Sequence, residues 1–105
     1  MADGVYSMYG DYAPITELLQ LTQKYNQLHL YFDDVHGMSW KGKNGTGFVF
    51  DAIKALPENI VVVGTLSKTF GASGATLLCS NEKLRNKIKN FGGPLTFSAF
   101  FIRAQ

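Results

Sequence analysis

Lys68, Asp33 and His36 are the residues of this chain best suited to covalent and proton-transfer chemistry. A lysine amine acts as a nucleophile only when it is neutral part of the time, which requires a desolvated or electropositive setting. Lys68 follows an apolar, β-branched run and lies between Ser67 and a glycine-bearing turn, where the end of a buried strand could supply such a pocket. Taken alone it reads more readily as a loop lysine in water, the commoner fate of that residue type. Asp33 and His36 change the balance. A carboxylate aimed at a pyridine nitrogen keeps that nitrogen protonated and makes the ring a better electron sink. An imidazole three residues further on could face the same ring and hydrogen-bond its phenolic oxygen. Without Lys68, the pair would be an ordinary strand-end turn with a half-buried histidine, since Asp is common in such turns.

Other chemistries fit less well. His29 and the distant Cys79 do not supply three or four metal ligands at ligand spacing. The glycines from Gly42 to Gly47 lack the strand-turn-helix setting of a dinucleotide fingerprint, and no phosphate loop ends in Lys-Ser/Thr. Gly71-Ala72-Ser73-Gly74 misses the spacing of a nucleophile elbow by one residue.

The elements that must position these residues alternate between strand and helix. Val5 to Met8 reads as the end of a strand. Pro14 opens an amphipathic helix carried by Ile15, Leu18, Leu19 and Thr22 to about Tyr25. Leu28 to Phe32 is a short strand that stops at Asp33-Asp34. Gly37, Gly42, Gly45 and Gly47 mark a flexible loop with Trp40 as its large apolar anchor. Phe48 to Leu56 has helical spacing and is closed by Pro57. Ile60 to Val63 is the clearest strand, continuous and β-branched. A Gly/Ser turn leads to a strand from Ala75 to Cys79, and Ser80 is placed to cap a helix over Asn81 to Phe91 that Gly92-Gly93-Pro94 ends. This alternation predicts an α/β fold with a mainly parallel sheet and flanking helices. Such sheets hold ligands just past the carboxyl ends of their strands. Asp33 and His36 follow one strand; Thr65 and Lys68 follow the next.

Composition bounds the rest. At 105 residues the chain makes one small domain, and 46% apolar content offsets the ordering of the chain. A net charge of +2, spread thinly apart from Lys83 to Lys89, argues against a nucleic-acid partner. A single cysteine fits a reducing compartment, and no apolar run approaches the roughly 20 residues that span a bilayer. With no signal peptide visible at the start, the expectation is a cytoplasmic protein without a membrane partner.

Three ordered motifs carry a family resemblance. Gly4-Val5-Tyr6-Ser7-Met8 with Gly10-Asp11 and Ala13-Pro14, then Asp33-Asp34-Val35-His36-Gly37, then Gly64 to Gly74 around Lys68, resemble the α-oxoamine synthases over essentially the whole chain. Those are fold-type I enzymes that use pyridoxal 5'-phosphate. The resemblance implies that residues 1–105 are part of a large cofactor-binding domain, since family members are several times longer. It implies that Lys68 condenses with the cofactor aldehyde and later moves the substrate proton, and that Asp33 pairs with the pyridine nitrogen. His36 and Ser7 would touch the phenolic oxygen, with Thr65 near the phosphate or that same oxygen. The implied reaction condenses a small amino acid with an acyl thioester, usually acyl-CoA. The implied assembly is a homodimer of the parent, and the isolated piece would self-associate through uncovered edges.

The chain departs from the family in two places. Ser39 and Thr46 break the glycine pattern after the histidine, which leaves the acyl donor open. Phe97-Ser98-Ala99 stands where a Ser-Thr pair is usual, and Phe100 to Arg103 replaces a proline-rich stretch. Two alternatives remain: another fold-type I enzyme such as an aminotransferase or lyase, sharing Lys68 and Asp33, or a non-catalytic α/β binding module. His36-Gly37 favours the synthases, because many aminotransferases carry a tyrosine there.

Overall fold

The computed structural model describes residues 1–92. Four strands form one sheet in the order β1 (Ala2–Asp3), β2 (Leu30–Asp33), β3 (Ile60–Thr65) and β4 (Ala75–Cys79). The first three run parallel, and β4 returns antiparallel against β3. Helices α1 (Ile15–Lys24) and α2 (Phe48–Ile53) fill the crossovers, and α3 (Glu82–Phe91) follows β4. The predicted α/β class with a mainly parallel sheet is what the chain adopts.

Strand alternation divides the sheet into two faces. Leu30, Phe32, Ile60 and Val62 point to the face that packs on Ala13, Ile15 and Val49, with Leu18, Leu19, Phe48, Phe50 and Ile53 closing around them. Phe32, Val49 and Ile60 are fully buried, so truncating Phe32 to alanine should cost about 3–5 kcal/mol. Tyr31, Val63 and Leu77 point the other way and line an apolar trough with Ile88 of α3.

Several boundaries differ from the sequence reading. β1 pairs at Ala2 and Asp3, and the Gly4 N–H still donates to the Asp33 carbonyl at 2.7 Å. Ser7 therefore lies in a turn, not in a strand, because Val5 leaves the sheet to bridge Tyr12. Helix α2 stops at Ile53, well short of Pro57, because Lys54 adopts a left-handed conformation (φ 57°) and caps it. Asn81, not Ser80, caps α3, accepting from the Leu84 N–H at 2.9 Å. Trp40 is 56% exposed and anchors no core. The glycine-rich loop is pinned instead by its own backbone bonds and by Met38, which lies over Gly64 of β3. The expected Gly93-Pro94 stop and the segments Phe97–Ala99 and Phe100–Arg103 lie outside the described residues.

Candidate active site at the carboxyl ends of three parallel strands

Because β1, β2 and β3 are parallel, they end on the same edge, roughly 5 Å apart from neighbour to neighbour. Asp33 is the last residue of β2, in register with Asp3 on one side and Val63 on the other. Thr65 ends β3 two residues past Val63, on the same face as Asp33 by strand alternation. Ser7 follows β1, His36 follows β2 and Lys68 follows β3. The topology thus puts Asp33 and Thr65 at one end of the sheet, with Ser7, His36 and Lys68 in the segments that follow the three strands.

Local bonding aims Asp33. Its Oδ1 accepts the Val35 N–H at 3.0 Å, a turn typical of aspartate at a strand end. Its Oδ2 accepts no hydrogen bond among the described residues, so one carboxylate oxygen stays available. Burial first, and the Asp33 charge second, push the Tyr31 phenol above its ordinary 10.0, consistent with both side chains occupying one face. His36 is half-buried, and its carbonyl accepts the Trp40 indole N–H one helical turn on. Lys41 then sits over both the Trp40 and Tyr12 rings, at 4.9 and 5.0 Å from their centroids.

Thr65 and Lys68 are in contrasting settings. The Thr65 hydroxyl donates to the Gly74 carbonyl at 3.0 Å and accepts the Ser67 N–H at 3.2 Å, which folds the lysine loop back on itself. The Leu66 N–H also reaches Gly74, and the Ala72 N–H reaches Leu66, both at 2.9 Å. Lys68 itself is exposed, and its amine contacts no partner among the described residues. The desolvated pocket expected around it is not built by residues 1–92. Ser7 is likewise exposed in its turn.

Sequence reasoning missed the residue that ties this edge together. Asp34 is 2% exposed, and its Oδ2 accepts the Val49 N–H at 2.9 Å, 15 residues away. Burial pushes its carboxyl up to about 6, against the opposing pull of the Val49 and Phe48 N–H groups. The signal was present as glycines: Gly4, Gly37 and Gly47 each stand so close to this carboxylate that a Cβ would collide with it. Their scattered spacing hides that relationship in one dimension.

The whole chain, residues 1–105, matches the family model of aminotransferase class I and II. The chain belongs to the class I and II aminotransferase family.

Among its curated relatives in this family, the 8-amino-7-oxononanoate synthase of Salmonella arizonae is 38% identical over all 105 residues, which is 26% of that protein. The synthase of Petrotoga mobilis is 36% identical over the same 105 residues, again 26% of its length. Solved structures agree. A serine palmitoyltransferase of Sphingomonas wittichii superposes with a TM-score of 0.77 at 32% identity, covering 95% of this chain and 24% of that one. A structure of SPT with its PLP internal aldimine gives a TM-score of 0.76 at 34% identity, covering 95% and 24%. An 8-amino-7-oxononanoate synthase of Francisella tularensis gives a TM-score of 0.68 at 27% identity, covering 93% and 28%. The chain spans about a quarter of the length of the relatives it matches. Among the described residues, no helix is long and apolar enough to cross a membrane.

Proposed function

We propose that this chain is the cofactor-contacting part of a pyridoxal-phosphate-dependent acyltransferase of the α-oxoamine synthase type, acting as 8-amino-7-oxononanoate synthase does. The parent would condense a small amino acid with an acyl-CoA, in the cytoplasm, as a step toward biotin. The observation that supports this reading is the Asp33–Val63 register, with Thr65 two residues further along β3 and Lys68 in the loop that follows. Curated relatives named as that synthase support it further.

The donor set fits the ring end of pyridoxal phosphate. Asp33 keeps one oxygen free of protein partners while the other is fixed by Val35, as a group held ready for a ring N–H would be. His36 and Ser7 follow the neighbouring strand ends and are suited to a phenolic oxygen. When bound, the cofactor supplies an electron sink that stabilises negative charge at the substrate α-carbon. Asp33 holds the proton on the ring nitrogen. Lys68 binds the cofactor and moves the proton at the α-carbon, a role for which a general base contributes about 10²–10⁴-fold. Thr65 orders the lysine loop through Gly74 and would lie near the phosphate or the phenolic oxygen. The acyl donor's fit depends on residues 38–47, where Ser39 and Thr46 break the family pattern.

The remaining walls of the site would come from the rest of the parent and its homodimer partner. Exposed Leu77 and Leu78 on edge strand β4 suit such coverage, and the chain alone is expected to self-associate through them. An aminotransferase is the second reading, favoured by the family match itself.

The test is chemical trapping. Pyridoxal phosphate is added to the chain, reduced with borohydride and located by mass analysis. The expected result is labelling of Lys68 ahead of the seven other lysines, and its loss in Lys68→Ala. Labelling spread evenly over the lysines overturns the assignment.

A further inference from the structure

Asp34 stands between the two residues that would contact the cofactor ring, yet its own side chain points away from that edge into the protein. Its backbone is fixed first. The Asp34 N–H donates to the Val63 carbonyl at 2.8 Å, and its carbonyl accepts the Gly37 and Met38 N–H groups at 3.0 and 2.9 Å. Its carboxylate then reaches the start of α2, where Oδ2 accepts from Val49. Oδ1 has no hydrogen-bond partner among the described residues and is walled by Gly4 and Gly37. Gly47 closes the remaining side at Oδ2 with a φ of +108°, a conformation that only glycine adopts without strain. One short side chain thereby touches the end of β1, the turn after β2 and the start of α2.

A buried carboxylate with an unsatisfied oxygen is an expensive way to cap a six-residue helix. A serine or threonine at the local N-cap position, which Gly47 holds here, is the usual way to cap a helix at lower desolvation cost. What the carboxylate adds is reach and rigidity at one point: residues 33–37 cannot shift without breaking the bond to Val49 or driving Oδ1 into a glycine Cα.

We propose that Asp34 is a positioning residue, whose buried carboxylate latches the 33–37 turn to α2 and so sets the relative orientation of the Asp33 carboxylate and the His36 imidazole. This rests on the reading of Asp33 and His36 as cofactor contacts. The glycines at 4, 37 and 47 are the space the latch needs, which accounts for three glycines far apart in sequence by one physical requirement.

Trp40 reports on the turn, because its indole N–H donates to the His36 carbonyl and it is the chain's only tryptophan. Asp34→Ala, Asp34→Asn and the control Leu19→Ala, which loosens the core elsewhere, are compared by the Trp40 indole N–H resonance and its exchange rate. Asp34→Ala is expected to shift the resonance and speed exchange at least tenfold. Asp34→Asn, which keeps an acceptor for Val49, should restore both to within about threefold. Leu19→Ala should leave the indole unchanged while lowering Tm. If Asp34→Ala does not fold, Asp34→Ser takes its place, since its hydroxyl is too short for the latch; the same displacement is expected. An indole indistinguishable from wild type in the folded Ala or Ser variant overturns the proposal, as does equal displacement by Leu19→Ala. Quenching of Trp40 by pyridoxal phosphate, measured in parallel, should weaken about tenfold in Asp34→Ala and stay near wild type in Asp34→Asn. Absence of quenching in the wild-type chain sinks the cofactor reading alone, and the indole comparison still decides the latch.

Discussion

The Met38 side chain lies directly over Gly64, so the loop that begins at His36 is seated on the strand that ends at Thr65. The two halves of the site are thus joined by a packing contact as well as by the β2–β3 ladder. A methyl at Gly64 would meet the free end of a flexible thioether, which can swing aside. A methyl at Gly47 would meet a short carboxylate already held by Val49, at a φ where alanine is strained. Gly64→Ala is therefore expected to cost under about 1 kcal/mol and Gly47→Ala about 2–4 kcal/mol, read from denaturant midpoints.

The pH dependence of stability should carry Asp34's signature. Its carboxyl holds a proton up to about 6 in the folded chain and releases it near the ordinary 3.8 when unfolded. Between those values the folded state binds the extra proton, so stability falls as pH rises through that window. The contribution is fully present below the unfolded value and gone above about 6. Asp34→Asn has nothing to titrate and should lack this component of the slope in thermal melts from pH 4 to 7.

Asp33→Asn keeps the shape of the side chain and an acceptor for the Val35 N–H, but loses the charge that would hold a ring proton. The expected outcome is a fold unchanged by circular dichroism, with Lys68 trapping retained at a weaker apparent affinity, about tenfold in Kd, as read by a titration of pyridoxal phosphate before reduction. Affinity equal to wild type would detach Asp33 from the cofactor.

The cap of α3 separates two neighbouring residues. Asn81→Ala removes the bond to the Leu84 N–H and should cost about 1 kcal/mol, while Ser80→Ala should fall within about 0.5 kcal/mol of wild type. Equal effects would return the cap to Ser80.

Much of this was legible in one dimension, and for a reason. Strand ends, the alternation of strand and helix, and the order Ser7, Asp33, His36, Thr65, Lys68 are local or sequential facts. A parallel sheet brings the strand ends at Asp33 and Thr65 to one edge, and the loops carrying Ser7, His36 and Lys68 start from that edge. Residue types were legible too: a carboxylate, an imidazole, a hydroxyl and an amine are the groups that the family resemblance would assign to a pyridoxal ring. The tertiary structure decided what depends on distance through space. Asp34 resembles a second copy of Asp33 until the Val49 N–H, 15 residues on, and the glycines at 4, 37 and 47 surround it. Trp40, read from its type as an anchor, is left exposed, and Met38 is the loop side chain that lies over Gly64. Burial of a charge and collision with a missing Cβ are properties of neighbours, and neighbours are assigned by folding.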